Sequence, residues 1–152
     1  LILYTAWKPG STYQLYLYKD YAEDTSGLTA NKNDTISFRV KTEKEYGSVR
    51  IRFKNIDTAK HPVLLFYNNE KLFAGYPING KEWYNKRFKP GIYQFAILYD
   101  TNQNGVWDTG DYFNKKKRQP EIVQLLTNTI TVRENWDNEL LIDLGLQETP
   151  KK

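Results

Sequence analysis

The residues best suited to chemistry in this sequence form an oxygen-rich segment that runs from Asp100 to Asp111. Carboxylate and amide side chains recur there at alternate positions, and this spacing lets a calcium loop bring about six to eight oxygens to one ion. Gly105 stands at the sixth position of the segment, where the chain must reverse sharply. The predicted calcium ligands are the side chains of Asp100, Asn102, Asn104, Asp108 and Asp111, together with the carbonyl oxygen of Val106.

The last position of this segment departs from the commonest calcium-loop pattern, because Asp111 stands where Glu is usual. Asp is one methylene shorter than Glu, so bidentate coordination requires a tighter loop; the spacing resembles that of dockerin-type calcium loops, which use Asp there. We expect apolar Trp107 to anchor the segment to the core, and the small number of carboxylates predicts only moderate affinity. The alternative is a loop without metal, closed by hydrogen bonds from its own Asx side chains to the backbone.

A short run of basic residues follows the acidic segment closely. One interpretation is a solvated surface turn; the other is a contact for an anion, such as a lipid headgroup, a lipopolysaccharide phosphate or an acidic protein. Nucleic acid is not an expected partner, because the run is short, lacks interleaved aromatic residues and belongs to a chain whose net charge is only +4. The predicted anion-contact or partner-contact residues are Lys115, Lys116, Lys117 and Arg118.

Aromatic residues on strand faces give a third candidate site. Tyr and Trp rings that face solvent side by side stack on sugars, which predicts a carbohydrate-binding module as the alternative to a protein-contact module. The same rings also serve as ordinary cross-strand partners, or cover an interface between domains or subunits. The candidate rings are Tyr16, Tyr18, Tyr21, Trp83 and Tyr84.

The composition argues against catalysis. The chain has 0 Cys and 1 His, which excludes disulfides, thiol catalysis and any metal site that needs two His ligands from this chain. The single histidine, His61, follows a polar turn and is expected to be incidental. No spacing of Asp and Glu residues nominates a pair of catalytic carboxylates. We therefore predict a non-enzymatic protein without catalytic residues.

The candidate site residues must be positioned by the short apolar runs of the chain, and the period of the side chains in these runs indicates β-strands. Aromatic residues make up 15% of the chain, side chains alternate at every second position, and Gly or Pro separates the runs, all of which favour an all-β sandwich. No apolar run approaches the roughly 18 residues of a membrane helix, so a membrane-spanning chain is not expected. The predicted strands are 12–18, 36–40, 49–53, 63–67, 71–74, 92–99, 122–126, 129–132 and 140–144.

Three local patterns make sharper predictions about these strands. The continuous apolar run Val63–Tyr67 predicts a central strand that is covered on both faces. Tyr93, Phe95 and Ile97 are expected to share one face of their strand. Asn79-Gly80 predicts a type I′ hairpin turn.

One turn sequence occurs twice in the chain. Trp7-Lys8-Pro9-Gly10 precedes Tyr13, and Phe88-Lys89-Pro90-Gly91 precedes Tyr93. Two interpretations are open at this point: two hairpins that share the same turn chemistry, or two related sandwich domains in tandem, each of which contributes its equivalent hairpin.

Three motifs occur in order near the N-terminus: Trp7–Tyr13 contains Pro-Gly-x-x-Tyr, Asp24–Leu28 contains Asp-x-x-Gly, and Ile36–Thr42 contains Phe-x-x-x-Thr. In these motifs the chain resembles the last part of a bacterial Ig-like domain. Such domains are longer, so their earlier strands would be absent here. The resemblance implies an incomplete Ig-like sandwich over residues 1–45.

The second part of the chain carries its own motifs, which are Gly47–Phe53, Phe88–Tyr93, Asp100–Asp111, Lys117–Glu121 and Trp136. In these motifs residues 46–146 resemble the transthyretin-like (prealbumin-like) sandwich that often follows an Ig-like domain in bacterial surface lipoproteins, which leaves 147–152 as a tail. The resemblance implies an antiparallel β-sandwich of the Ig-like or transthyretin-like kind, preceded by the partial Ig-like sandwich.

The two resemblances also imply a function and a location, because neither family is known for catalysis. They imply a non-catalytic module for scaffolding or protein–protein interaction, such as an accessory subunit of an outer-membrane complex. The location would be the outer membrane, the cell surface or the periplasm, and the partner a protein or a glycan. The chain has 0 Met and no secretion signal, so we expect it to be part of a longer polypeptide.

Overall fold

The computed structural model describes residues 2–111 and 119–145, and their regular structure is almost entirely β. Two one-turn 3₁₀ helices, Glu43–Glu45 and Thr58–Lys60, also occur. The all-β prediction is therefore confirmed, and no helix in the described ranges is long and apolar enough to cross a bilayer. The strands are β1 (Thr12–Leu17), β2 (Asp34–Arg39), β3 (Gly47–Lys54), β4 (Pro62–Asn68), β5 (Lys71–Pro77), β6 (Glu82–Phe88), β7 (Gly91–Tyr99), β8 (Ile122–Val132) and β9 (Asp137–Asp143).

The chain divides into two compact units, Leu1–Glu43 and Lys44–Lys152. In the first unit β1 and β2 pair antiparallel, in a register that sets Leu15 opposite Ile36. Every second residue of β1 is partly buried while the residues between them are exposed, which is the period-2 pattern of a strand with one covered face. The first unit is therefore built on a two-stranded sheet.

The second unit is a sandwich of two sheets. One sheet has the order β6-β3-β9 and the other the order β5-β4-β7-β8. Phe66 of β4 lies at the centre of the core, where its ring centroid is between 4.7 and 6.0 Å from those of five other aromatic rings. Tyr93, Phe95 and Ile97 of β7 share the inner face, as predicted. The buried core residues are Val49, Ile51, Phe53, Leu64, Phe66, Ile78, Phe88, Tyr93, Phe95, Ile97, Leu126, Ile130, Val132 and Ile142.

The other face of the four-stranded sheet carries a second buried cluster. Val63 and Leu65 of β4 pack there with Ala96 and Leu98 of β7. Because Leu64 and Phe66 belong to the main core, consecutive residues of β4 are buried on opposite faces. The prediction of a central strand covered on both faces is confirmed for β4.

The three-stranded sheet is mixed rather than wholly antiparallel. β3 pairs antiparallel with β6 and parallel with β9, where Ser48 stands opposite Asp137 and Lys54 opposite Asp143. β8 and β9 belong to different sheets, so the link between them crosses the sandwich instead of forming a hairpin. β9 consequently lies beside β3 with the same chain direction.

The prediction of a type I′ hairpin at Asn79-Gly80 is wrong. That turn requires positive φ at both central residues, and neither of these two residues has it. The flanking strands β5 and β6 lie in different sheets. The Ile78 N–H donates to the Pro62 carbonyl and the Phe53 N–H donates to the Lys81 carbonyl, each at 2.8 Å. Asn79-Gly80 is therefore a link between the two sheets, and backbone hydrogen bonds fix the residue before it and the residue after it.

The repeated Lys-Pro-Gly sequence has a similar local structure in both places. In each, the aromatic residue before the turn packs edge-on against the following tyrosine, with ring centroids 5.0 Å apart. The Tyr13 hydroxyl accepts a hydrogen bond from the Lys8 N–H, and the Tyr93 hydroxyl donates one to the Lys89 carbonyl, each at 2.9 Å. Both turns are thus closed by a tyrosine side chain on the backbone of the lysine.

Candidate functional site

The oxygen-rich segment lies at the end of the sandwich where β7 and β8 pair. Tyr99 at the end of β7 stands opposite Ile122 at the start of β8, so Asp100 and Glu121 flank the two strand ends. Both residues are buried, with exposed fractions of 2% and 6%, and they are the two buried charged residues in the described part of the chain. A buried carboxylate costs free energy unless hydrogen bonds or cations compensate for lost water. The contacts of these two residues therefore define the site.

Asp100 closes the sharp turn that follows β7. Its Oδ1 accepts a hydrogen bond from the Asn104 N–H at 3.2 Å, and its Oδ2 accepts one from the Gly105 N–H at 2.6 Å. Gly105 has a φ of 76°, a left-handed conformation that glycine adopts without strain. The reversal predicted at Gly105 is therefore present, and the buried Asp100 carboxylate holds it.

Three of the predicted calcium ligands contact one another directly. The side-chain amide nitrogens of Asn102 and Asn104 both donate to Oδ2 of Asp108, the second of them at 3.0 Å. Their amide oxygens accept from the backbone instead: Asn102 Oδ1 from the Asn104 N–H at 3.0 Å, and Asn104 Oδ1 from the Val106 N–H at 2.8 Å. The segment is thus closed by Asx turns that meet at the Asp108 carboxylate.

Glu121 ties this segment to β8, and the sequence did not nominate it. Its Oε1 accepts from the backbone N–H of Thr101 at 2.8 Å and from the hydroxyl of that residue at 2.9 Å. Its Oε2 accepts from the Asp108 N–H at 3.2 Å, and its own N–H donates to the Asp108 carbonyl at 3.0 Å. The signal that would have found it is the antiparallel pairing of β7 and β8, which places the residue before β8 beside the residue after β7.

Trp107 differs from the predicted arrangement. The Trp107 side chain is 49% exposed, and its indole N–H donates to the Glu121 carbonyl at 2.9 Å. It therefore anchors the segment to the start of β8 rather than to the core. The Val106 N–H donates to the Asx turn of Asn104, and Asp111 is the last residue described before residues 112–118.

The segment fits a calcium ion only with local rearrangement. Within residues 2–111 and 119–145, no three side chains of His, Cys, Asp or Glu come close enough together to hold a metal. Calcium loops also use amide and carbonyl oxygens, but here the amide nitrogens of Asn102 and Asn104 point at Asp108. A cation beside Asp108 would need both amides to rotate so that their oxygens replace their nitrogens.

Two cavities border the segment. One of about 570 Å³ is lined by Asp100, Asn104 and Gly105, and also by Asn79. The other, of about 800 Å³, is lined by Glu121 and Thr101 and also by Tyr99. The Tyr99 hydroxyl donates to Gln124 Oε1 at 2.9 Å, and burial raises the pKa of its phenol above the ordinary value of 10.0.

The structure describes the predicted sugar-stacking rings but not the predicted basic contact residues. Lys115, Lys116, Lys117 and Arg118 lie outside the described residues. Among the candidate sugar-stacking rings, Trp83 is only partly exposed and packs 5.1 Å from Phe66 and 4.8 Å from Tyr76, centroid to centroid, so it belongs to the core. The rings that stay exposed are Tyr16 (60%), Tyr18 (74%), Tyr21 (53%) and Tyr84 (48%).

The outer face of the three-stranded sheet brings two glutamates together, but with arginines between them. Arg50 contacts Glu82 at 2.6 Å and Glu139 at 3.4 Å. Arg52 contacts the same two carboxylates at 3.2 and 3.1 Å. This arrangement is a surface charge network across β6, β3 and β9.

No protein-family model, no curated protein and no solved structure matches this chain.

Proposed function

We propose that the chain is a non-catalytic β-sandwich module of a bacterial surface or periplasmic lipoprotein, that it serves protein–protein contact, and that calcium bound between β7 and β8 orders its loop. The observation that carries the calcium part is the pair of buried carboxylates, Asp100 and Glu121, on adjacent strand ends. Calcium binds carboxylate and amide oxygens, and the segment between these two residues supplies both kinds.

The existing hydrogen bonds support this proposal because they prepare the loop for an ion. Asp100 already holds the reversal at Gly105 through the 2.6 Å bond, so the backbone of the loop does not have to be remade. Asn102, Asn104 and Asp108 already converge. Binding then requires rotation of two side-chain amides, so that bonds to the ion replace two N–H donors at the Asp108 carboxylate and the Asx-turn bonds to the amide oxygens.

The protein-contact part rests on the resemblance to surface modules and on the outer face of the three-stranded sheet, which carries a network of charged side chains. Where two glutamates approach each other, on the outer face of the three-stranded sheet, Arg50 and Arg52 pair with both. A rigid sandwich with an ion-ordered loop presents loop residues to a partner at a low entropic cost. The function would be that of a scaffold or an accessory subunit at the outer membrane.

Thermal unfolding in calcium and in a chelator tests the metal. An ion that binds only the folded state stabilises it by RT ln(1 + [L]/Kd), about 2.7 kcal/mol at about 100 times Kd. We expect Asp100→Ala to abolish the calcium-dependent rise in Tm and Asn102→Ala to reduce it. Asp57→Asn is the matched control, because Asp57 caps the Thr58–Lys60 helix outside the loop and Asn also caps helices; it should keep the full rise.

A Tm that is the same in calcium and in chelator would overturn the metal part of the proposal. The loop would then be an Asx-closed turn, and the β-sandwich would stand unchanged. Magnesium in place of calcium separates specific binding from ionic strength, because Mg²⁺ demands smaller, near-octahedral geometry.

Carbohydrate binding is the second candidate, favoured by the exposed rings of Tyr16 and Tyr18. These two residues are two positions apart on and just after β1, so an extended chain places both rings on the same side. Affinity electrophoresis in gels that contain polysaccharide tests it. Retardation that disappears in Tyr16→Ala/Tyr18→Ala but persists in Tyr84→Ala would support sugar binding, and unretarded migration in every gel would exclude it for the glycans used.

A further inference from the structure

We infer that Asn79 is a site of spontaneous deamidation, and that the folded loop after β7 protects the second Asn-Gly pair, Asn104-Gly105, from the same reaction. Both pairs have the sequence that reacts most readily, since glycine offers no side chain to hinder the attack. The inference goes beyond the proposed function and does not depend on calcium. It follows from the contrast between the two backbone environments.

The reaction sets clear structural requirements. The backbone nitrogen of the glycine attacks Cγ of the asparagine side chain and loses its proton, the side-chain amide leaves as ammonia, and a succinimide ring forms. Water then opens the ring at either carbonyl and leaves aspartate or isoaspartate. The glycine N–H must therefore be free to leave any hydrogen bond, and the asparagine side chain must be free to turn toward it.

Asn79-Gly80 meets these requirements. Asn79 is exposed, and in the part of the chain that the structure describes neither its side chain nor the Gly80 N–H takes part in a hydrogen bond. No heavy atom lies within 4 Å of the place where a Cβ on Gly80 would stand. The link between β5 and β6 therefore has room for the side chain to reach the backbone nitrogen.

Asn104-Gly105 does not meet these requirements, because hydrogen bonds hold each atom that has to move in the reaction. The nucleophile, the Gly105 nitrogen, donates its proton to Oδ2 of the buried Asp100 at 2.6 Å. The electrophile is held from both ends, because Asn104 Oδ1 accepts from the Val106 N–H at 2.8 Å and Nδ2 donates to Asp108 at 3.0 Å. Attack at this site has to wait for the loop to open.

Modification of Asn79 would change the charge beside the candidate calcium site. Asn79 and Asp100 line the same cavity of about 570 Å³, so the new carboxylate adds a negative charge to its wall. The isoaspartate product also lengthens the backbone between Ile78 and Lys81, which are both held by hydrogen bonds to other strands. Asn79 is therefore a site at which the protein is modified covalently over time without an enzyme.

Peptide mapping by mass spectrometry after incubation at mildly alkaline pH tests the inference. In the folded protein we expect Asn79 to convert at least about tenfold faster than Asn104, since breaking one charge-assisted hydrogen bond costs enough to slow the reaction by that factor. In denaturant both residues should convert at similar rates. The comparison of the two residues in one sample needs no variant.

Gly80→Ala is the variant that tests the mechanism, because the open space at Gly80 and its ordinary φ accept a methyl group. It should slow the conversion of Asn79 and leave the fold, checked by circular dichroism, unchanged. Asp100→Ala should accelerate the conversion of Asn104. An intact Asn79, equal rates for the two residues in the folded protein, or a Gly80→Ala variant that converts as fast as the parent would each overturn the inference.

Discussion

Glu121→Ala is expected to destabilise the second unit through the whole segment between β7 and β8. The Glu121 carboxylate accepts hydrogen bonds from the backbone N–H groups of Thr101 and Asp108 and from the Thr101 hydroxyl. Truncation removes these acceptors at a position that is 6% exposed. A buried donor left without its partner costs about 1–3 kcal/mol, and with two backbone donors affected we expect the free energy of unfolding to fall by about 2–4 kcal/mol.

Urea unfolding followed by tryptophan fluorescence measures this loss. The Trp107 indole N–H donates to the Glu121 carbonyl, so its emission also reports on the anchoring of the loop. Glu121→Gln keeps one acceptor oxygen and should lose less stability than Glu121→Ala. Glu134→Ala is the control: Glu134 is exposed, and its loss should change stability by no more than about 0.5 kcal/mol.

The measurement in the presence of a chelator separates the hydrogen-bonding role of Glu121 from any role in metal binding. If Glu121→Ala loses less than about 1 kcal/mol there, and the tryptophan emission does not change, the assignment of Glu121 as the tie between the loop and β8 is refuted.

Two further predictions concern the core and the response to pH. Phe66→Ala removes the ring at the centre of the aromatic cluster and should lower the free energy of unfolding, measured by urea titration, by about 3–5 kcal/mol. A loss of stability no larger than that expected for truncating a solvent-exposed phenylalanine would contradict the packing. Burial raises the pKa values of Tyr93 and Tyr99 above the ordinary 10.0, so the unfolded chain releases these protons at lower pH than the folded chain. Their contribution to stability is therefore complete below about pH 10 and is lost as the pH rises through the folded-state values. Tm measured against pH should fall in this range, and Tyr93→Phe/Tyr99→Phe should make the fall less steep.

Local patterns predicted most of the strands because side-chain period is a local property, although the predicted strands 122–126 and 129–132 are one strand, β8. The alternation of Tyr93, Phe95 and Ile97 required only that one face of β7 be apolar, and those residues are buried together. The continuous run in β4 similarly required apolar cover on both faces, which the two clusters supply. Predictions of this kind depend on residues a few positions apart.

Features that depend on which strands lie side by side were missed. Asn79-Gly80 has the composition of a hairpin, but the inter-sheet bonds of its neighbours determine its conformation. Trp83 belongs to the core because β6 packs over β4, which the alternation of polar and aromatic residues in β6 did not indicate. Glu121 lies far along the chain from Asp100, and only the pairing of β7 with β8 brings it to the site.

The parallel pairing of β3 with β9 has a consequence for the order in which the second unit folds. Ser48 and Asp137 are 89 positions apart in the chain yet hydrogen-bonded at 2.5 Å, so this contact closes a very long loop. Contacts of large sequence separation form slowly, because the entropy of loop closure is lost before the contact is gained. During synthesis the apolar side of β3, with Val49 and Ile51, emerges from the ribosome long before β9 does. The three-stranded sheet can then exist only as the β3–β6 ribbon until β9 arrives, and in that interval the β3 edge is open to pairing with other strands.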